Sequence, residues 1–174
     1  MSGHSHWAGI KHKKEATDKK RGELFSKLLN AVSIAAKSEP NPEFNPRLRT
    51  AVEKAKNDGV PKDKIDNAIK KAADSANDLE ELMFEAYGPG GAAIIIEAIS
   101  DSRNRVVAEI KKLLNDFGGK WAEPKSVEWA FEKTPEGWNA KFPQELSLED
   151  KNKLKILTDA LGGHDDVQKI YTNT

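Results

Sequence analysis

The chain has 174 residues, 37% of them hydrophobic and 32% charged, which suits one good-sized domain or two small ones with modest cores. It contains no cysteine, which excludes disulfides, cysteine nucleophiles, thiolate zinc sites and thiolate-bound iron–sulfur clusters. A formal net charge of zero hides a segregation: residues 1–71 hold 16 Lys and Arg against 9 Asp and Glu, while residues 72–174 hold 12 against 19. A basic half joined to an acidic half points the first half at a polyanion.

In chain order, residues 1–16 form a basic arm carrying His4, His6, Trp7, Lys11, His12, Lys13 and Lys14, with no apolar period. From Thr17 to Lys37 the spacing of Leu24, Phe25, Leu28, Leu29, Val32, Ala35 and Ala36 predicts a helix with one wide apolar stripe. Three prolines make Ser38 to Pro46 a loop, and Asn45-Pro46 reads as a helix start, an N-cap followed by proline in the first turn. Leu48, Ala51, Val52 and Ala55 mark the inner face of that helix, and Gly59 ends it. Pro61 opens a third helix with Ile65, Ala68, Ile69 and Ala72 inward. Residues 1–75 are thus expected to be a three-helix domain with an arm, and the polar stretch Ala73 to Glu81 a linker.

Residues 82–174 follow a different pattern. Phe84 to Tyr87 reads as a short strand ended by the turn Gly88-Pro89-Gly90-Gly91, and Ala92 to Ile99 as a buried strand. Asn104 to Phe117 is a predicted helix with Val106, Val107, Ile110, Leu113 and Leu114 inward. Lys120 to Ala122 and Ser126 to Glu132 read as paired strands, and Trp138 to Leu146 as another, broken at Pro143. Ser147 caps a helix running to Leu161, and Val167 to Thr172 closes the domain as a strand. The expected fold class is α+β: a three-helix domain, then a ferredoxin-like split βαβ domain.

Little points to catalysis. No Ser-His-Asp or paired-carboxylate arrangement stands out, and the four histidines are too scattered for an assigned metal site. Without Met1, Ser2-Gly3-His4 would offer a square-planar nitrogen set suited to Cu(II) or Ni(II), an arrangement any protein with an early histidine has adventitiously. Gly88–Gly91 lacks the Lys-Ser/Thr of a P-loop and precedes a strand, so it reads as a turn. Asp101, Arg103, Asn104 and Arg105 have two readings: arginines that fork phosphate oxygens, or a helix entry in which an arginine pairs with an acid. In the arm, Lys11, Lys13, Lys14, Lys19, Lys20 and Arg21 surround Trp7 and three histidines, cations to neutralise phosphates and rings to stack on unpaired bases. Lys62, Lys64, Lys70 and Lys71 add charge to the same domain.

The stretch Gly3-His4-Ser5-His6-Trp7-Ala8-Gly9-Ile10-Lys11-His12-Lys13-Lys14 resembles the opening signature of the YebC/PmpR family. The likeness continues in Arg21–Leu28, Asn45–Arg49, Ala55-Lys56, Pro61–Asp63, Tyr87–Gly91, Arg103–Arg105, Gly118-Gly119, Ser126-Val127 and Asp165–Gln168. The resemblance implies a helical domain and two α/β domains, the last inserted within the second, and a regulator acting on DNA or at the ribosome. This chain departs from it between Lys133 and Ser147, where a brief connector stands in place of an inserted third domain. His6 replaces the usual lysine, Asn67 stands where an arginine is common, and Glu123-Pro124-Lys125 stands where a glycine usually precedes Ser-Val.

The expected function is therefore a non-enzymatic nucleic-acid-binding regulator, contacting ribosomal RNA and modulating elongation. The contact residues would be Lys11, His12, Lys13, Lys14, Lys20, Arg21, Lys62, Arg103 and Arg105, with the Gly88–Gly91 turn beside the last two. The alternatives are a DNA-binding transcriptional regulator and, in another class, a protein–protein adaptor using the acidic second domain. No cofactor, membrane or small-molecule substrate is implied. No stretch approaches the roughly 18 apolar residues of a membrane span, and the start lacks a secretory h-region, so a cytoplasmic setting is expected.

Overall fold

The computed structural model describes the backbone of residues 3–74 and 78–174, and side chains from residue 17 onward within those ranges. The chain divides into two compact units, Met1–Ala76 and Asn77–Thr174.

The first unit holds three helices: α1 (Gly3–Ala36), α2 (Pro46–Asn57) and α3 (Lys62–Ala73). Their shared core is Leu28, Val32, Ala35 and Ala36 from α1, Leu48, Val52 and Ala55 from α2, Val60, and Ile65, Ala68 and Ala72 from α3. Ala51 and Ile69 pack at its margin, as their spacing predicts, but Leu24 is 42% exposed. Helix α1 also begins far earlier than its apolar stripe, at Gly3 rather than near Thr17.

One side chain joins two of these helices. Buried Asn45 caps α2 by accepting the Leu48 N–H at 2.9 Å, while its amide donates to Ala35 O and Glu39 O, both at 2.8 Å. Helix α2 ends in a Schellman motif: Gly59, at φ 82°, donates to Lys56 O, and Val60 donates to Ala55 O.

The second unit is built from β1 (Glu80–Tyr87), β2 (Ala93–Ser100), α4 (Arg103–Asp116), β3 (Lys120–Ala122), β4 (Phe131–Thr134), β5 (Gly137–Ala140), α5 (Leu148–Gly162) and β6 (Val167–Thr172). The main sheet is antiparallel in the order β3-β1-β2-β6, and β4 and β5 form a separate hairpin. The fold class is α+β, with a split unit β2-α4-β3 whose strands flank β1. The hairpin β1–β2 occupies the sheet's centre, and α5 leads from the hairpin region to the opposite edge.

Three strand expectations change. β1 starts at Glu80, taking residues assigned to the linker, and is twice as long as Phe84 to Tyr87. Ser126 to Glu132 does not pair with Lys120 to Ala122, which instead pairs with Glu85–Tyr87. The segment becomes a turn, a short 3₁₀ turn at Glu128–Ala130 and the start of β4. Of the expected strand Trp138 to Leu146, only residues 138–140 are in a strand, β5, which begins one residue earlier at Gly137.

Strand alternation sorts β1 and β2 onto two faces. Leu82, Phe84, Ala86, Ile94, Ile96 and Ala98 face α4 and α5, meeting Val106, Ile110, Leu114, Leu154, Leu157 and Leu161. Ala93 and Ile95 face the other way, against Val127, Ala130 and Phe131. Each fully buried isoleucine contributes about 2 kcal/mol.

Two carboxylates organise the second face. Buried Glu85 accepts the backbone N–H groups of Lys125 (2.5 Å) and Val127 (2.6 Å), which curls the segment out of the sheet. Glu97 accepts from Trp138 Nε1 (3.2 Å) and Tyr171 Oη (3.3 Å), tying the hairpin to the sheet. Gly137 lies so close under Tyr171 that a Cβ there would stand 2.2 Å from its hydroxyl oxygen.

Lys125 sits at φ 70°, a conformation that costs a side chain about 1 kcal/mol. Lys125→Gly is therefore expected to hold or raise the thermal midpoint, unlike most exchanges for glycine, and Lys125→Val to lower it by several degrees; differential scanning calorimetry of the three chains decides this. Burial, then the charge and hydrogen bond of Glu97, push the Tyr171 phenol up to about 12. The folded state thus holds its proton more tightly than the unfolded chain, so this contribution to stability is complete below pH 10 and is lost as pH rises through 12. Absorbance titration at 295 nm is expected to show a phenolate step near pH 12 that is missing in Tyr171→Phe.

Candidate nucleic-acid interface

The residues expected to meet nucleic acid fall on both units. Lys11, His12, Lys13 and Lys14 lie on α1, but their side chains are outside the described residues, as are Trp7 and the Ser2-Gly3-His4 nitrogen set. One turn or two further on, Lys19, Lys20 and Arg21 are exposed. Lys19 lies 3.9 Å from Glu23. The Arg21 guanidinium lies over the Phe25 ring, 5.2 Å from its centroid, and 3.8 Å from where a Cβ on Gly59 would stand. Arg21 therefore sits at the α2–α3 turn, which leads directly to exposed Lys62 in the first turn of α3. Ile65 and Ala68 are buried, so the inner face of α3 is unavailable for reading base edges, while Asn67 is exposed.

Arg103 and Arg105 separate into two roles. Arg103 is exposed in the first turn of α4. Arg105 is gripped by acids: Asp166 at 2.8 Å, Glu109 at 3.1 Å and Asp101 at 3.2 Å, with the Ser100 hydroxyl also at 3.1 Å. Burial opposes its charge, but Asp166, Asp101 and Glu109 outweigh burial and hold the guanidinium above its ordinary range. Ser102 holds the N-cap position before α4, and its side chain makes no capping bond.

His164 completes this cluster. Its Nδ1 accepts the Asp166 N–H at 3.1 Å, leaving Nε2 to donate to Glu109 at 2.8 Å. Glu109, His164 and Asp166 bring ligand-type atoms within 4.8 Å of one another. Both ring nitrogens are already bonded, however, and Arg105 bridges the two acids, so the group works as a clasp between α4 and the loop entering β6. Asp166 is not legible in the sequence as a partner of Arg105, because 61 residues separate the two.

The Gly88–Gly91 turn owes its glycines to packing. A Cβ at Gly88 would stand 2.8 Å from Leu154 Cδ1, and one at Gly90, where φ is 70°, 2.7 Å from Leu146 Cδ2. Gln144 Nε2 donates to Gly90 O at 2.7 Å. Gly90 and Gly91 remain exposed.

The first unit also has a feature that charge counting passes over. The loop from Lys37 to Asn45 carries Phe44 at 74% exposure. Its signal in the sequence was an aromatic residue in a proline- and asparagine-rich loop beside Arg47 and Arg49.

Together these features define a protein of one basic helical unit and one antiparallel α+β unit, with its clustered acids and histidine hydrogen-bonded to one another. Residues 5–75 match the TACO1/YebC protein N-terminal domain, and residues 79–136 match the TACO1/YebC second and third domain. The chain is 46% identical over 168 residues to a protein of Petrotoga mobilis and 45% identical over 167 residues to one of Solibacter usitatus, both named "Probable transcriptional regulatory protein". Those alignments take in 95% of this chain and 65% of each relative, so the chain spans about two thirds of the length of the curated relatives it matches. A crystal structure of a conserved hypothetical protein from Aquifex aeolicus superimposes with a TM-score of 0.83 at 30% identity, covering 97% of this chain and 96% of that one. The chain belongs to the TACO1/YebC family.

The clasp predicts opposite results for the two neighbouring arginines. Arg105→Ala leaves the largely buried Asp166 carboxylate without its cation and is expected to cost about 1–3 kcal/mol in urea unfolding, a value below that of a fully buried pair because Arg105 is 42% exposed. Arg103→Ala is expected to leave the unfolding midpoint unchanged.

Proposed function

We propose that this chain is a non-enzymatic, nucleic-acid-binding regulator of gene expression, and that it binds ribosomal RNA and modulates translation elongation. The observation that carries the reading is the segregation of charge: the helical unit holds an excess of cations, Arg21 and Lys62 are exposed at the α2–α3 turn, and Lys20 is exposed on α1 beside Arg21. Lysine and arginine side chains there meet phosphates, and the counterions released drive binding. Lys11, His12, Lys13 and Lys14 extend the same charge along α1. Arg103 offers a further cation on the second unit, whereas Arg105 is engaged by its acids and serves the fold.

A second reading, duplex DNA binding by a transcriptional regulator, is favoured by the names of the relatives. Against it, α3 packs Ile65 and Ala68 inward and leaves Asn67 nearly alone as a base reader on its exposed face. The connector at residues 134–146 supports the reading of this chain as a short form without an inserted third domain.

Sedimentation of lysate through a sucrose gradient tests the proposal. The native chain is expected to travel with ribosomal particles, and a variant with Lys11, Lys13 and Lys14 changed to Glu to stay at the top. If the native chain also stays at the top in low salt, the ribosomal reading falls and duplex DNA becomes the target to examine.

A further inference from the structure

The loop between α1 and α2 is held more firmly than its length requires. Asn41 N–H donates to Glu39 Oε1 (2.8 Å), and Asn41 Oδ1 accepts from Glu43 N–H (2.9 Å). Asn41 O accepts from Phe44 N–H (3.1 Å). Arg49 reaches back from α2 and donates to Pro42 O (3.2 Å) and Glu43 O (3.0 Å). Asn45 then ties the end of the loop to the last turn of α1. Prolines at 40, 42 and 46 restrict the backbone further.

At the centre of this scaffold Phe44 is 74% exposed. An aromatic ring left in water on a preorganised backbone can bind with little ordering cost. Its surroundings select the ligand. Helix α2, which starts two residues later, carries Arg47, Arg49, Lys54 and Lys56 against the acid Glu53, while the loop itself adds Glu39, bonded to the Asn41 N–H, and exposed Glu43. Arg47 and Lys54 are seven residues apart, hence on one face and about 10 Å apart along the axis. They lead from Phe44 toward the α2–α3 turn, where Arg21 lies. A flat ring at the head of a cationic track fits a single strand, with one base stacked on the ring and its phosphates along the helix.

We propose that Phe44 is a base-stacking site for an unpaired nucleobase of single-stranded RNA, with Arg47 and Lys54 holding the adjoining phosphates. This rests on the nucleic-acid reading above and names the part of the ligand that the charge alone leaves open.

Fluorescence anisotropy tests it, using the full chain with a labelled 12-nucleotide oligoadenylate RNA and, separately, a blunt duplex RNA of equal length. Phe44→Ala is expected to weaken single-strand binding about 10-fold while changing duplex binding less than twofold. Phe44→Trp is expected to retain single-strand binding, and Phe44→Leu, equally apolar but without a ring, to lose it as alanine does. Because Phe44 packs on little, all three variants should melt with the native chain, which separates stacking from misfolding. Native affinity in Phe44→Ala, full binding by Phe44→Leu, or equal loss on both probes overturns the stacking site; in the first case the exposed ring answers to a protein partner instead. If those results accompany loss of binding in the Lys11, Lys13 and Lys14 variant, the nucleic-acid reading survives alone. If the native chain binds neither RNA at low salt, both readings fall.

Discussion

Strand β2 is buried on both faces, and the second unit is arranged around that constraint. Ile94 and Ile96 demand apolar cover on one side and Ile95 demands it on the other, so a single layer of helices could not complete the unit. Helices α4 and α5 supply the first cover. The hairpin β4–β5 and the turn before it supply the second, and the polar groups on the inner strands hold that cover in place. Glu85 fixes the turn by capturing two backbone N–H groups, and Glu97 anchors Trp138 and Tyr171. A buried carboxylate such as Glu85 is tolerable only where it is bonded in this way, and half-buried Glu97 adds a second tie between the sheet and the hairpin layer. The Arg105 clasp does equivalent work at the sheet's end, holding the loop that delivers β6 to β2.

The helical unit has a smaller core and relies more on its connections. Its buried set is largely alanine and valine with a few larger residues, which bury modest area and let the helices approach closely. The Asn45 side chain and the Schellman turn at Gly59 satisfy backbone groups at both ends of α2. The outer surfaces of the helices carry the lysines and arginines, of which Arg49 also holds the loop before α2. Charge on this unit is thus spread over the outer faces of three helices whose inner faces make the core, rather than held in any single motif.

Helices were legible in the sequence wherever one face is buried. The ends of α2 and the start of α5 were marked by Asn45, Gly59 and Ser147, because caps are local chemistry. The N-terminal half of α1 was not visible, since an apolar period can report only a helix that has a face to hide, and residues 3–16 show none. Strand partners were harder still. Val127 and Trp129 have the preferences of a strand, but Glu85, 42 residues from Val127, takes the backbone donors a strand would have used. Lys120 to Ala122 found its partner in β1 rather than in the next segment for the same reason: pairing is decided by tertiary context. In the candidate interface, exposed cations were readable from charge, while the engagement of Arg105 depended on acids distant in sequence, and the rigidity under Phe44 on a web of side-chain bonds to backbone.

The match to the family's second and third domain ends at residue 136, yet residues 137–174 supply β5, α5 and β6. These are not appendages: Leu154, Leu157 and Leu161 lie in the main core, and β6 is hydrogen-bonded along β2 from Ile94 to Ala98. Both faces of the central strand are therefore covered by residues of this chain. Any additional sequence in the longer relatives is not needed to complete the sheet. The hairpin at Phe131–Ala140 lies across one face of that sheet, so an insertion at its tip, Pro135-Glu136, could be added or removed without disturbing the pairing of Phe131 with Ala140. Tolerance of change concentrates at such exposed tips. The sheet is thus closed by residues of this chain, and the hairpin tip lies outside the two contacts, at Glu85 and Glu97, that hold the second face closed.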